Sequence, residues 1–274
     1  MSDRPQLHVS MLEMMSRCGI QFQRRYGARF DCWHEEEIMP PGIALVTGIS
    51  VHKAVEANLR NKMIEGSQLL AREQVATIAD DEFRGIWQGG VMLTEDEATN
   101  VNKTFGSAVD QTVALVLLHH DNLAPVINPV AIEEKFVILM GDGYPYDLAG
   151  KKDIREANGL RDTKTKAATP PEDAARTTQG AMYSMAEIVA GRGMPKRWSL
   201  DFLIKTKTVK TVTRVAIPDE SWIKPLRRRI ERAIDIIQSV KEGKGQFTPA
   251  DPENWCCSKR YCGWHATCPY WSGK

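Results

Sequence analysis

Residues 146–165 read YDLAGKKDIREANGLRDTKT, and the Asn158-Gly159 pair inside them turns the chain back on itself. Asn-Gly between extended runs is the strongest short-range hairpin signal. A strand over 146–154 is therefore expected to return as a strand over 160–165. Side chains two apart on a strand share a face, so Asp162 and Lys164 point the same way. Asp153 lies on the partner strand near the turn, within reach of that face. Two carboxylates beside an ammonium suit the binding of a divalent cation and the activation of water against a phosphodiester. An isolated D-x-K triplet is more often a surface salt-bridge ladder. The rest of the chain has to carry the stronger reading.

Other residues stand in the right order. A helix over about 172–190 carries Gln179 and Tyr183, four apart and hence on one face. Upstream, Gly48-Ile49-Ser50-Val51-His52 opens another helix, and 130–139 (VAIEEKFVIL) reads as a strand holding Glu133 and Glu134. The series G-x-x-x-H, E, G-x-x-D, D-x-K-T and Q-x-x-x-Y resembles the RecB-like branch of the PD-(D/E)XK nuclease superfamily. Its second acidic position is Asp162 rather than Glu, a variation that the family pattern allows.

That resemblance implies an α/β fold: a restriction-endonuclease-like core with a central mixed sheet flanked by helices, plus a helical insertion. It implies metal-bridging roles for Asp153 and Asp162, a backbone ligand in the Thr163 carbonyl and a further metal ligand in His52. Lys164 would orient or deprotonate the attacking water, or stabilise charge on the phosphate. Gln179 and Tyr183 would hold the lysine or the phosphate in place. Either Glu133 or Glu134 could reach the metal through water, and one of them must face outward. The hard oxygen ligands favour Mg²⁺ or Mn²⁺ over zinc at this site.

The C-terminal segment 255–268, WCCSKRYCGWHATC, holds Cys257, Cys262 and Cys268 in a C-x4-C-x5-C arrangement, with Cys256 as a spare. Cys18 lies in an amphipathic run over 10–26. Such a set is similar to the iron–sulfur staple of certain RecB-like nucleases, including AddB-type subunits, CRISPR adaptation exonucleases and phage exonucleases. The resemblance implies a four-iron–four-sulfur cluster on Cys18, Cys257, Cys262 and Cys268, tying the N-terminal helix to the C-terminal tail. Four thiolates suit structural zinc equally well. The family spacing is more often C-x2-C-x5-C, so the choice between Cys256 and Cys257 stays open, with Cys257 favoured. Cys32, His119, His120 and His265 have no spacing that supports a ligand role.

Composition narrows the class. Six cysteines, unevenly placed, do not make a secreted disulfide framework. With no signal peptide evident, a cytoplasmic protein is expected. No run of about 18 apolar residues occurs, so no membrane partner is expected. The net charge of +1 argues against a protein that coats DNA, although local fields matter more than the sum. Basic residues cluster at Arg24 and Arg25, at Lys205, Lys207 and Lys210, and at Arg227-Arg228-Arg229. The first two groups are candidates to line a DNA path. No G-x-x-x-x-G-K-[ST] motif is present, so unwinding would need a separate helicase.

Four regions follow. Residues 1–45 carry the first cluster cysteine, 46–125 are largely helical and hold the motif histidine, 126–245 form the nuclease core, and 246–274 carry the cysteine segment. Within the core, strands over 198–204 and 209–217 precede a long helix over about 219–241, whose Leu226, Ile230, Ala233, Ile234 and Ile237 fall at helical spacing. The function expected is a metal-dependent DNA exonuclease of recombination, repair or phage DNA processing. The resemblance favours 5′-to-3′ polarity and a single-strand annealing protein as a possible partner. The alternatives are a non-catalytic DNA-binding or assembly subunit and a CRISPR spacer-acquisition nuclease. Oligomeric state is not legible.

Overall fold

The computed structural model describes residues 4–64 and 68–271. Its elements run β1 (Gln6–Leu7), α1 (Val9–Arg17), α2 (Gly19–Tyr26), α3 (Ile43–Met63), α4 (Arg72–Gln88), α5 (Glu95–Ala98) and α6 (Val101–Asn122). They continue as β2 (Pro129–Ile138), β3 (Asp147–Glu156), β4 (Gly159–Lys166), α7 (Thr178–Val189), β5 (Arg197–Ile204), β6 (Lys210–Ala216) and α8 (Glu220–Lys241).

The six strands make one mixed sheet in the order β1-β3-β4-β5-β6, with β2 also on β3. β1 with β3 and β4 with β5 are parallel, and the other pairs are antiparallel. One apolar layer joins α3, α4 and α6 to the sheet through Val51, Leu59, Val75, Leu115, Ile132, Ile154 and Leu203. A second joins α1, α7 and α8 through Met11, Leu12, Met182, Trp198, Phe202, Ile230 and Ile237. The apolar spacing read along the last helix is that buried stripe. No helix among the described residues is long and apolar enough to cross a membrane.

The expected hairpin forms, shifted by one residue. β3 and β4 pair at Glu156↔Gly159, so Ala157 and Asn158 make the loop and Gly159 opens β4. Neither Asn158 nor Gly159 has a positive φ, and the turn is not the type I′ that Asn-Gly suggests. Gly159 is required for another reason. A Cβ there would sit 2.8 Å from the carbonyl oxygen of Arg197 on the neighbouring β5.

Three further boundaries differ from expectation. The helix over 10–26 is two helices broken at Cys18, which is extended (φ −158°, ψ 109°). The break lets the C-terminal segment approach: Gly19 N–H donates to the Thr248 carbonyl at 2.8 Å, and a Cβ on Gly19 would lie 2.7 Å from that oxygen. Gly48 and His52 lie inside α3 rather than at its start. The helix over 172–190 is a 3-10 turn, Glu172–Ala175, followed by α7. The Thr177 hydroxyl caps α7 by accepting from Gly180 N–H.

Candidate active site

β3 and β4 pair over only three rungs, ending at Ile154↔Arg161. Beyond it β4 leaves β3 and runs along β5 for its whole length, from Gly159↔Arg197 to Lys166↔Ile204. Asp153 and Asp162 are the first residues past the last rung and face each other across the opening. Arg161, pointing the other way, fixes the register. Its Nη1 donates to the buried Asp201 at 2.6 Å, and Thr213 donates to the other Asp201 oxygen at 2.6 Å.

His52 enters this wedge from α3. Its Nδ1 lies 3.7 Å from Asp153 Oδ2 and its Nε2 3.9 Å from Asp162 Oδ1. One ligand atom from each of His52, Asp153 and Asp162 falls within 4.8 Å of the others. Asp162 is fully buried, and neither carboxylate oxygen has a hydrogen-bond partner. Lys164 Nζ approaches Oδ2 at 2.5 Å as a charge contact outside hydrogen-bonding geometry. One ammonium at Oδ2 leaves Asp162 Oδ1, beside His52, and the neighbouring Asp153 carboxylate for a further cation to satisfy. The residues therefore fit a divalent ion with oxygen and imidazole ligands.

The electrostatics agree. Burial, then the Asp162 charge, raise Asp153 well above the usual carboxylate range. Burial pushes Asp162 up too, but Asp153, Lys164 and His52 outweigh it and hold Asp162 low. The two carboxyls are thus pushed apart, Asp153 toward holding a proton and Asp162 toward the charged form. Burial pulls Lys164 down, and the two aspartates more than offset that, so the ammonium stays charged. Burial lowers His52 below the ordinary histidine value, which leaves a neutral ring able to ligate.

Gln179 and Tyr183 do share a face of α7, with Gln179 Nε2 donating to the Tyr183 hydroxyl at 2.9 Å. Tyr183 in turn donates to the Lys151 carbonyl. That contact falls on the β3 backbone two residues before Asp153, rather than on Lys164. Lys152, buried, ion-pairs with Glu134 and Glu187 at 2.8 and 2.5 Å and clamps α7 to β3 a second time. Glu134 is the glutamate turned away from the site.

Glu133 is the residue that sequence reasoning left undecided. It has φ +55°, rare for a side chain other than glycine, and it interrupts the ladder between Ile132↔Ile154 and Glu134↔Lys152. In continuous register it stands opposite Asp153. It ion-pairs with Lys151 and lines, with His52, Asp153, Lys164 and Lys166, an open groove of about 570 Å³. The backbone outlier has no sequence signal.

Lys205 adjoins Lys166, which lines the groove: its backbone N–H donates to the Lys166 carbonyl at 2.7 Å, and burial and Lys166 lower its pKa. Lys207 and Lys210 are exposed beyond it. Arg24 is engaged within the protein. It ties α2 to the C-terminal segment through the Thr267 hydroxyl and carbonyl at 2.7 and 2.8 Å, and it pairs with Glu37. Arg25 lies over the Tyr26 ring.

At the opposite end of the chain, Cys18, Cys256, Cys257, Cys262 and Cys268 line one cavity of about 200 Å³. Cys256 and Cys257 both reach it, and so does His265, which the spacing had left aside. Cys32 is elsewhere, its thiol donating to the Phe30 and Ile237 carbonyls. His119 is buried and its pKa is lowered to about 3, chiefly by burial. His120 bonds Asp121 and the Leu70 carbonyl.

A family model for the PD-(D/E)XK nuclease superfamily matches residues 6–269. Among solved structures, a "putative exonuclease" from Eubacterium rectale superposes with a TM-score of 0.56 at 13% identity, over 92% of this chain and 87% of that chain. At that identity the likeness speaks for the fold. No curated protein matches the sequence significantly.

Proposed function

The chain belongs to the PD-(D/E)XK nuclease superfamily, and on that premise we propose that it is a metal-dependent DNA exonuclease of the RecB-like branch. The observation that carries this reading is the wedge between β3 and β4, where His52, Asp153 and the buried Asp162, ion-paired with the charged Lys164, converge. His52, Asp153 and Asp162 would hold Mg²⁺ or Mn²⁺, with the Thr163 carbonyl as a further ligand. When bound, the ion stabilises charge developing at phosphorus and lowers the pKa of a coordinated water.

The chain's own groups do the rest. Lys164, kept protonated by its two aspartates, stabilises the phosphate rather than acting as the initial base. Tyr183, braced by Gln179, holds the β3 backbone so that Asp153 keeps its position. Glu133 supplies a further carboxylate to the groove. The exonucleolytic part of the reading draws on the name of the Eubacterium rectale protein.

The convergence of Cys18, Cys256, Cys257, Cys262 and Cys268 on one cavity supports a metal-bound staple, a four-iron–four-sulfur cluster with structural zinc as the alternative.

A timed digest of DNA labelled at either end, with Mg²⁺, Mn²⁺ or EDTA, tests the proposal. Mononucleotide release from an end with either metal and none with EDTA is expected. Undegraded DNA with both metals would exclude a catalytic role.

A further inference from the structure

The C-terminal segment carries an exposed aromatic surface that this chemistry does not use. Trp255 and Tyr261 are 60% and 52% exposed, and their rings lie edge to face with centroids 5.3 Å apart. Arg17 at the end of α1 sits over the Trp255 ring at 5.6 Å, and Arg260 over Tyr261 at 5.4 Å. Lys259 is exposed beside them. Large rings left in water with cations on them form the combination that holds unpaired bases: the π-face stacks and the cations take the backbone phosphates. Duplex bases already stack on one another and cannot use it.

The position fits the active site. α1 packs against α7, the helix that carries Gln179 and Tyr183. Arg17 is the last residue of α1. α1 thus runs from the helix beside the site to the Trp255 ring. Resting on the nuclease reading above, we propose that Trp255 and Tyr261 stack the bases of single-stranded DNA while Arg17, Lys259 and Arg260 contact its phosphates, so that a single-stranded end is fed to the site.

The test measures binding of a labelled oligothymidylate and of a blunt hairpin duplex in EDTA, for the parent and for Trp255→Ser, Trp255→Phe, Tyr261→Ser and Arg17→Ala. Each serine variant should weaken the oligothymidylate by about tenfold, and Trp255→Phe, which keeps a ring face, should stay within about twofold. Hairpin binding should be nearly unchanged. Because Trp255 adjoins Cys256, Arg17→Ala reads the same surface from another element and should lose several-fold, with melting temperatures checking the fold throughout. Parental oligothymidylate affinity in the serine variants, equal losses on both DNAs, or no oligothymidylate binding by the parent would overturn the inference. The nuclease reading fails separately, if the parent does not digest end-labelled DNA.

Discussion

At the residue scale the site is defined by one proton. Asp153 has a raised pKa and Asp162 a lowered one, so the metal-free pair holds a proton above the ordinary carboxylate range. A group whose pKa is higher folded than unfolded favours the fold below its unfolded value, near 3.9 for aspartate. That contribution is lost as pH rises through the folded value. The metal-free protein should therefore lose the Asp153 contribution as pH rises from about 3.9 through the raised folded value, and a divalent ion would take the place of the proton. Melting in Mn²⁺ and in EDTA should show a larger Mn²⁺-induced increase in Tm at pH 8 than at pH 5.5. Equal increments at the two values would remove the shared proton from the account. The nearness of Asp153, Asp162 and Lys164 was legible from the local spacing of the hairpin and that of Gln179 and Tyr183 from their helical spacing, whereas His52 was reached only through the order of the motifs. The partner of Tyr183 and the left-handed Glu133 were not legible, since both depend on which backbone lies across the sheet.

At the scale of elements, the splaying of β3 from β4 makes the site, and the glycine at the turn keeps it possible. Gly159→Ala pushes a methyl into the Arg197 carbonyl and should destabilise by about 1–3 kcal/mol, the usual penalty for overpacking. Asn158→Ala should cost much less, since the loop uses no positive φ. Denaturant titration of the two variants separates the cases; the reverse order would restore the Asn-Gly turn. Strands and long helices were readable from alternation and apolar spacing. The break at Cys18 was not, because an amphipathic run continues through it. What interrupts the helix is the arrival of Thr248, more than two hundred residues away in the chain.

At the scale of the whole molecule, the two chain ends meet around the cysteine cavity while the groove opens between β3, β4 and α3. Serine at Cys18, Cys257, Cys262 or Cys268 should lower iron and sulfide in anaerobically purified protein and reduce its Tm, since losing a thiolate frees both ends. Cys32→Ser should keep both. A parent with one zinc and no iron would replace the cluster without touching the groove. Lys205 and Lys207, which follow the strand beside Lys166, should act through phosphates alone. Reversing both to Glu should reduce the slope of log affinity against log salt by about one to two, with cleavage at saturating DNA much less affected. An unchanged slope would return them to solvent.

The central claim is that the buried carboxylate of Asp162 and the ammonium of Lys164 perform phosphodiester hydrolysis. Single-turnover cleavage of end-labelled DNA at saturating protein and Mn²⁺, for the parent, Asp162→Asn and Lys164→Ala, tests it most directly. The account predicts losses of about 10²-fold or more in rate for each variant, with DNA binding in the same samples retained. Cleavage at the parental rate by either variant would contradict it.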